Sequence, residues 1–226
     1  MAACATGSAL AQTNAAPAAG TPEAAAASAN RTAPAGAKSI EAKAAMCIGC
    51  HGIPGYQASF PEVHKVPMIS GQNAKYIASA LNAYKTGDRK HPTMRGIAES
   101  LSEQDIADIS AWYESHGAGK QVAAKPKEPS TQVAALLQKA ACASCHGANF
   151  DKPIDPSYPK IAGQHADYLF VALKAYKTEN NPAVGRNNGV MGAIAKQYSN
   201  AELKALANYL AGLETDLSVK PEPRFR

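Results

Sequence analysis

Two copies of one cysteine–histidine motif constrain the fold of this chain more than any other feature of its sequence. Residues 47–51 are Cys-Ile-Gly-Cys-His, and residues 142–146 are Cys-Ala-Ser-Cys-His. Together they contain four of the five cysteines in the chain. Two cysteines separated by two residues are compatible with a disulfide, a zinc site or a redox motif. The histidine that directly follows the second cysteine in both copies distinguishes these alternatives.

A histidine in this position is typical of covalent haem attachment. Residues three positions apart lie on one face of a helical turn, so both thiols reach the haem vinyl groups from the same side. The imidazole that follows is then the first axial ligand of the iron. The sequence therefore predicts two covalently bound haem c groups. Their attachment residues are Cys47, Cys50, His51, Cys142, Cys145 and His146.

The two motifs belong to an internal repeat, which indicates a tandem duplication. Residues 67–72 (Pro-Met-Ile-Ser-Gly-Gln) correspond to residues 159–164 (Pro-Lys-Ile-Ala-Gly-Gln). Residues 76–86 and 168–178 correspond in the same way, and both end in Ala-Tyr-Lys-Thr. We therefore expect the same chemistry twice, once in a first repeat and once in a second repeat.

Each repeat is predicted to fold as helix, long loop, helix, loop, helix. In the middle helix of the first repeat, the residues Tyr76, Ile77, Ala80, Leu81 and Tyr84 follow a 3.6-residue period. The last helix of each repeat opens with a serine that an acidic residue follows three positions later, as in a capping box. No stretch alternates with a strand period. The expected fold is all-α, with two small helical units that each wrap around a covalently bound haem.

Composition divides the chain into four segments. We expect an export-signal remnant and flexible Ala/Pro leader at residues 1–36, a first haem domain at 37–118, a linker at 119–130, and a second haem domain with a short C-terminal tail at 131–226. The leader has almost no large apolar side chains, so it cannot bury enough surface to offset its chain entropy. The linker is rich in Gly, Pro and Lys.

The first eleven residues are interpreted as the end of an export signal. Ala9-Leu10-Ala11 matches the small-x-small pattern of a signal-peptidase site, so the mature chain is expected to begin near Gln12. The true start of the signal would then lie upstream. An alternative is a lipid anchor on Cys4, because the residues around it loosely resemble a lipobox. No stretch reaches the roughly eighteen apolar residues of a membrane helix, so no membrane span is predicted.

The second axial ligand of each iron is predicted from the register of the repeat. A methionine ligand closes the site and raises the potential, whereas an open site favours catalysis. Met94 and Met191 are in register, each in a Gly-containing loop before the last helix, whereas Met68 aligns with Lys160 and is expected to fill space in the core. His91 is the nearest rival ligand. The predicted iron ligands are therefore His51, Met94, His146 and Met191.

Pro67 and Pro159 lie in the loop after each motif histidine. A histidine that binds a metal usually donates its other ring N–H to a carbonyl, which fixes the orientation of the ring. We expect the two proline carbonyls to accept these hydrogen bonds, with simple stiffening of the loop as the alternative. Further residues are expected to pack on the haem or contact its propionates, with ordinary core packing as an equal alternative for the tyrosines: Gln72, Gln164, Tyr76, Tyr84, Tyr168 and Tyr176.

The formal net charge of +5 does not indicate a nucleic-acid partner. Lys and Arg residues are scattered among acidic residues, whereas nucleic-acid binding would require basic clusters with interleaved aromatic side chains. The propionates of two haems would also offset most of the positive charge.

Taken together, these residues resemble the cytochrome c4 family. The likeness covers about residues 38–214: both Cys-x-x-Cys-His motifs, the Gly-Gln segments, the Ala-Tyr-Lys helices and the two methionines. It implies two cytochrome c domains related by a pseudo-twofold axis, with haem propionate edges facing across the domain interface. It also implies a periplasmic location, electron supply from a quinol-oxidising complex or a dehydrogenase, and donation to a terminal oxidase. The leader and the longer first loop, residues 52–66, depart from the family pattern.

We expect an electron carrier and not an enzyme. One alternative is a cytochrome subunit of a larger dehydrogenase complex, which would share all of these motifs. Another is a dihaem enzyme of the peroxidase or thiosulfate-oxidising type, which would need an exchangeable ligand at one haem. The matched methionines argue against such an enzyme.

Overall fold

Helices dominate both repeats, and their order follows the duplication. The computed structural model describes Met1, residues 39–122 and residues 125–221. The leader, with its cleavage site and Cys4, lies outside these described residues. Both repeats belong to one continuous unit, Lys38–Arg226. The expected all-α fold in two tandem helical units is confirmed.

The first repeat contains four helices and three two-residue strands within the described residues. In chain order its elements are α1 (Ile40–His51), β1 (Gln57–Ala58), β2 (His64–Lys65), α2 (Ala74–Thr86), β3 (Arg89–Lys90), α3 (Pro92–Glu99) and α4 (Glu103–Ser115).

The second repeat is built in the same way over the part of the chain that is described. Its elements are α5 (Thr131–Lys139), α6 (Ala143–His146), α7 (Ala166–Lys177), β4 (Gly185–Arg186), α8 (Gly189–Lys196) and α9 (Asn200–Ala211). Here the motif helix is broken, because Ala141 adopts a positive φ of 47° just before Cys142. Such a backbone disfavours continuation of a right-handed helix by an L-residue. The second motif therefore lies on a separate turn, α6, whereas the first motif ends the continuous helix α1.

Capping boxes start the last helix of each repeat, as the sequence predicts. The Ser102 hydroxyl accepts from the backbone N–H of Asp105, and the Asp105 carboxylate accepts from the backbone of Ser102. Ser199 and Glu202 do the same in α9. Each box satisfies N–H groups that lack a partner inside the helix, and the loss of such a cap typically costs about 1 kcal/mol.

The core of each repeat lies between its middle and last helices. In the first repeat, Ile77 and Leu81 of α2 pack with Ile106, Ile109 and Tyr113 of α4. The corresponding helices of the second repeat, α7 and α9, contribute a further set of buried residues: Leu169, Leu203, Leu206, Ala207 and Leu210. Burial of each large apolar side chain is worth about 1.5–3 kcal/mol relative to exposure. These faces anchor the helices that frame each motif.

The glycine of each Gly-Gln segment allows the chain to pass close to a neighbouring backbone. Gly71 has φ 84° and Gly163 has φ 66°, a region that L-residues rarely adopt. Their N–H groups donate to the carbonyls of Tyr113 and Leu210, both at 2.8 Å. A Cβ on Gly71 would lie 2.7 Å from the carbonyl oxygen of Asp216. The positions therefore require glycine.

The buried glutamines that follow these glycines tie the two repeats together. Gln72 donates to the carbonyl of Lys160 and accepts from its N–H, at 3.0 and 2.9 Å. Gln164 makes the same pair with Met68, at 2.8 and 3.0 Å. The two exchanges are equivalent under the duplication. Both amides therefore bind the backbone of the opposite repeat, and contact of these two glutamines with haem stays a prediction.

Contacts from the short strands, the longer first loop and the C-terminal segment also join the repeats. Strands β3 and β4 pair antiparallel across the junction, with Arg89 opposite Arg186. The longer first loop packs on α7, where the backbone N–H of Lys65 donates to Asp167 at 3.0 Å. The C-terminal segment crosses to the first repeat through a bridge between Ser70 and Ser218.

No helix within residues 39–122 or 125–221 combines the length and the apolar character of a bilayer span.

Candidate haem-binding sites

The histidine of each motif is held by the proline carbonyl that the sequence indicates. His51 ends α1, and its Nδ1 donates to the carbonyl oxygen of Pro67 at 2.8 Å. His146 ends α6, and its Nδ1 donates to the carbonyl oxygen of Pro159 at 3.0 Å. Because a carbonyl oxygen only accepts, the hydrogen of each neutral imidazole resides on Nδ1. Nε2 then presents its lone pair, which is the form that binds a metal.

Burial favours the neutral form of both imidazoles, because it lowers their pKa values. Burial lowers the pKa of His51, and the opposing effect of the Pro67 carbonyl is smaller. The pKa of His146 is lowered for the same reason, against the smaller effect of the Pro159 carbonyl. Burial disfavours the charged imidazolium, because a low-dielectric surrounding solvates it poorly.

The first cysteine of each motif, Cys47 or Cys142, lies in surroundings that do not resemble those of a redox-active thiol. Burial raises the pKa of the Cys47 thiol to about 11, with a smaller contribution from Cys50. Burial likewise raises the pKa of Cys142. Catalytic and redox-active cysteines instead have lowered pKa values in electropositive surroundings. The redox-motif alternative therefore loses support, and two thiols on one helical turn fit haem attachment.

The two in-register methionines lie on short helices and not in loops. Met94 is the third residue of α3, and Met191 is the third residue of α8. The ring of His91 accepts a hydrogen bond from the backbone N–H of Met94 at 3.4 Å. The side chain of Asn188 accepts one from the backbone N–H of Met191 at 2.9 Å. These N-caps, with a proline in the first turn of α3, start helices where the sequence analysis expects loops.

The cap of α3 also gives a structural role to His91, the rival iron ligand considered above. Its Nδ1 caps α3 in the same register as Asn188, so this ring occupies the position of a helix cap. Met94 is partly buried and packs on the same core cluster as Cys47. Met191 is also partly buried. Met68 contributes its backbone to the junction between the repeats through Gln164.

A cluster of arginines and tyrosines lies where β3 and β4 meet. The Cζ of Arg89 is 5.2 Å from the ring centroid of Tyr76 and 5.8 Å from that of Tyr84. In the second repeat, the Cζ of Arg186 is 5.5 Å from the ring centroids of both tyrosines, Tyr168 and Tyr176. We call these six residues the Arg–Tyr cluster.

The two arginines were missed in the sequence, although a signal for them is present. Each stands five residues before an in-register methionine, Met94 or Met191. They affect their tyrosines unequally. Burial alone would raise the pKa of Tyr76, but Arg89 and Arg186 outweigh it and lower that pKa. Burial raises the pKa of Tyr168 to about 12 despite the opposing charge of Arg186.

The residues present fit covalently bound haem. Each repeat offers two thiols on one turn, an imidazole oriented by a carbonyl, an in-register methionine and a cationic side chain that can face a carboxylate. These sites are those of a c-type cytochrome with two haem domains. In agreement, the Cytochrome c family model matches residues 33–117 and 130–214.

Two relatives narrow the class. "Cytochrome c4" of Stutzerimonas stutzeri is 30% identical over 191 residues, which cover 78% of this chain and 89% of the relative. A "Thiosulfate dehydrogenase electron acceptor" of Stutzerimonas stutzeri (strain A1501) is 30% identical, with coverage of 74% and 78%. The crystal structure of reduced recombinant cytochrome c4 from Pseudomonas stutzeri is similar with a TM-score of 0.55 and 26% identity, over 79% of this chain and all of that one.

The chain belongs to the cytochrome c4 family. Two tandem cytochrome c domains of this family carry two covalently bound haem c groups. The family function is that of a c-type electron carrier.

Proposed function

We propose that this chain is a periplasmic dihaem electron carrier in which both irons have histidine–methionine ligation. His51 and Met94 would bind the first iron, and His146 and Met191 the second. The observation that carries the proposal is the equivalence of the two sites. In each repeat a proline carbonyl orients the imidazole, and a side-chain cap holds the methionine in the first turn of a short helix.

Two similar, closed sites favour a carrier over an enzyme. Methionine ligation stabilises ferrous iron and leaves no open position for a substrate. A dihaem enzyme would need one site that differs from the other, and the residues at the two candidate sites differ little. We therefore infer that the protein transfers single electrons and does not turn over a substrate.

The donor is proposed to be a quinol-oxidising complex or a dehydrogenase, and the acceptor a terminal oxidase. The relative named as an electron acceptor for thiosulfate dehydrogenase supports a dehydrogenase as donor. The alternative is a tightly bound cytochrome subunit of such a dehydrogenase, which would have the same haem motifs. Copurification under mild conditions separates a free carrier from a subunit. The domain boundaries proposed above, at residues 37–118 and 131–226, place one haem on each side of the linker.

The oxidised-state absorption spectrum of the purified holoprotein tests the ligation. We expect a methionine–iron charge-transfer band near the red end of the visible range, with an intensity that corresponds to two haems. We also expect carbon monoxide to bind poorly to the reduced protein. A band sized for one haem, together with carbon monoxide binding at the other, would instead support the dihaem enzyme.

A further inference from the structure

The first repeat contains a buried hydroxyl group without a hydrogen-bond partner in the described part of the chain. Tyr113 of α4 is 2% exposed, and its hydroxyl bonds to nothing within residues 39–122 and 125–221. Its position is fixed, because its backbone carbonyl accepts from Gly71 at 2.8 Å and the ring of Trp112 meets its ring edge-on, with 4.8 Å between centroids. A buried tyrosine hydroxyl usually has a partner, so this one requires an explanation.

A second hydroxyl on the same helix is also buried and unpaired within the described chain, but it has a local explanation. Ser110 lies three residues before Tyr113. A serine inside a helix can turn its hydroxyl to the carbonyl four residues earlier, which here belongs to Ile106. The tyrosine cannot do so, because its ring holds the hydroxyl away from the backbone of its own helix. Tyr113 therefore needs a partner from another part of the site.

The group beside the Tyr113 hydroxyl is the first cysteine of the first motif. Cys47 packs on the core cluster that contains Tyr113, and each group shifts the pKa of the other. Burial is the main reason that the pKa of Tyr113 is raised, and the Cys47 thiol adds to it. The hydroxyl therefore stays protonated at physiological pH and can act as a donor. The sulfur of a thiol or a thioether is a weak acceptor.

The second repeat has no such donor at the equivalent position. Gly163 donates to the carbonyl of Leu210, as Gly71 does to that of Tyr113, so Leu210 and Tyr113 correspond in the two repeats. Cys142 packs on the core cluster that contains Leu210. A leucine side chain offers no hydrogen bond. The first cysteines of the two motifs are therefore equivalent in position, but only one of them lies beside a hydroxyl.

We propose that the Tyr113 hydroxyl donates a hydrogen bond to the thioether sulfur that Cys47 forms with the first haem, and that this bond raises the reduction potential of that haem alone. The donated hydrogen places a partial positive charge beside the haem edge, where a low dielectric constant strengthens its effect. It stabilises the reduced state, which carries one more electron. Hydrogen bonds around a haem are one of the means by which a protein sets its potential. The inference rests on the proposed electron-transfer function and on haem attachment at Cys47.

The test compares holoproteins that differ by one oxygen atom. Tyr113→Phe keeps the ring and removes only the hydroxyl, so it should lower the potential of the first haem and leave that of the second unchanged. Tyr209→Phe is the matched control, because Tyr209 lies on α9 and its hydroxyl already donates to the carbonyl of Lys127 at 2.7 Å. Both of its potentials should equal those of wild type. NMR of the haem methyl resonances during a redox titration follows the two haems separately.

Thermal unfolding of the same holoproteins shows whether the hydroxyl has a partner when haem is bound. Loss of a hydrogen-bonded buried hydroxyl destabilises a protein, whereas loss of an unpaired one removes its desolvation cost. Tyr113→Phe should therefore have a lower Tm than wild type. An unchanged or higher Tm would mean that the hydroxyl is unpaired in the holoprotein, and the proposal would be wrong.

Ser110→Ala separates a direct bond from a shared buried water. It should leave both potentials unchanged. If it lowers the first potential as much as Tyr113→Phe does, the two hydroxyls act together through a water and the direct bond to Cys47 is wrong. An equal shift of both haems in Tyr113→Phe would also contradict the proposal.

The outcome is separable from that of the proposed function. An unchanged first potential in Tyr113→Phe, with two haems per chain and the methionine band intact, would contradict only the bond to sulfur. A wild-type holoprotein without the methionine band would instead contradict the proposed ligation, and the comparison of Tyr113→Phe with wild type would still stand.

Discussion

At the scale of single residues, the two sites depend on atoms that are fixed by their neighbours. The Nδ1 of each motif histidine donates to a proline carbonyl. Because that carbonyl belongs to the backbone, the orientation of the ring and of its Nε2 does not depend on a flexible side chain. Each candidate methionine has its backbone N–H bound to a side-chain cap. The caps differ in the two repeats, His91 in one and Asn188 in the other, although their positions are equivalent.

Removal of the methionines should open one haem at a time. Met94→Ala should make only the first haem partly high-spin, lower its potential and admit carbon monoxide. Met191→Ala should do the same only at the second haem. The physical reason is loss of the sulfur ligand that favours ferrous iron and closes the site. Absorption spectra with and without carbon monoxide provide the measurement.

Met68→Ala is the control for these variants. Met68 is partly buried, so its truncation should cost about 2 kcal/mol of stability, the lower end for a methionine in a core. Neither haem should change spin state. A Met68→Ala protein with a high-spin first haem, alongside a low-spin Met94→Ala protein, would show that the repeat register assigns the wrong ligand.

At the scale of elements, a partly buried lysine links the motif helix to the last helix of the first repeat. Lys43 of α1 lies 2.8 Å from Asp105 and 2.6 Å from Asp108, both on α4. Hydrogen bonds from Lys43 are the main reason that the pKa of each carboxyl is lowered. The link holds the helix that carries Cys47, Cys50 and His51 against the core.

The lowered pKa values give a sign to the pH dependence of stability. A carboxyl with a lowered folded-state pKa contributes stability that is present above its ordinary value of 3.8 and is lost as the pH falls through the folded value. The free energy of unfolding of Lys43→Met should therefore fall less steeply than that of wild type between about pH 5 and pH 2. The urea midpoint measured across this range is the readout.

Lys85→Met serves as the control for the lysine, because Lys85 donates to the carbonyl of Leu101 and not to a carboxylate. It should lower stability by a similar amount at every pH in that range. If Lys43→Met keeps the full wild-type slope, the ion pairs do not produce the acid sensitivity.

At the scale of the whole molecule, the two repeats are held together by reciprocal contacts that follow the duplication. The exchange of Gln72 and Gln164 uses buried amides on the opposite backbone, and the β3–β4 pair adds a second symmetric contact. The longer first loop and the C-terminal segment add contacts that are not symmetric. We expect these contacts to keep the distance between the two haem sites constant, which suits electron transfer.

Gln72→Leu should destabilise the protein by about 2–3 kcal/mol. It leaves both the N–H and the carbonyl of Lys160 without partners. A buried group left unpaired costs about 1–3 kcal/mol, and because these two groups are only partly buried, each is expected at the lower end. Thermal unfolding of the holoprotein measures the effect. Asn73→Ala is the matched control, because Asn73 donates to the carbonyl of Tyr158 at 3.2 Å across the same junction, but at an exposed position. A loss no larger than in this control would mean that the glutamine exchange does not stabilise the junction.

The sequence by itself determined the number of haem groups, the helical class and the capping boxes, and it predicts the attachment residues. These features are local: cysteine spacing, a 3.6-residue apolar period and serine–acid pairs depend on residues within one or two helical turns. The repeat register also selected Met94 and Met191 and excluded Met68, which stays a prediction until the ligands are tested.

Only the tertiary structure decided how the repeats meet. Gln72 and Gln164 stand in register in the two repeats and are predicted haem contacts in the sequence, yet the backbone partners of their amides lie 88 and 96 residues away. Arg89 and Arg186 face each other only because two short strands from different repeats pair. The physical reason is that hydrogen bonds and charge pairs between distant segments leave no periodic trace in either segment. Their partners are set by the packing of α2, α4, α7 and α9, which no local pattern encodes.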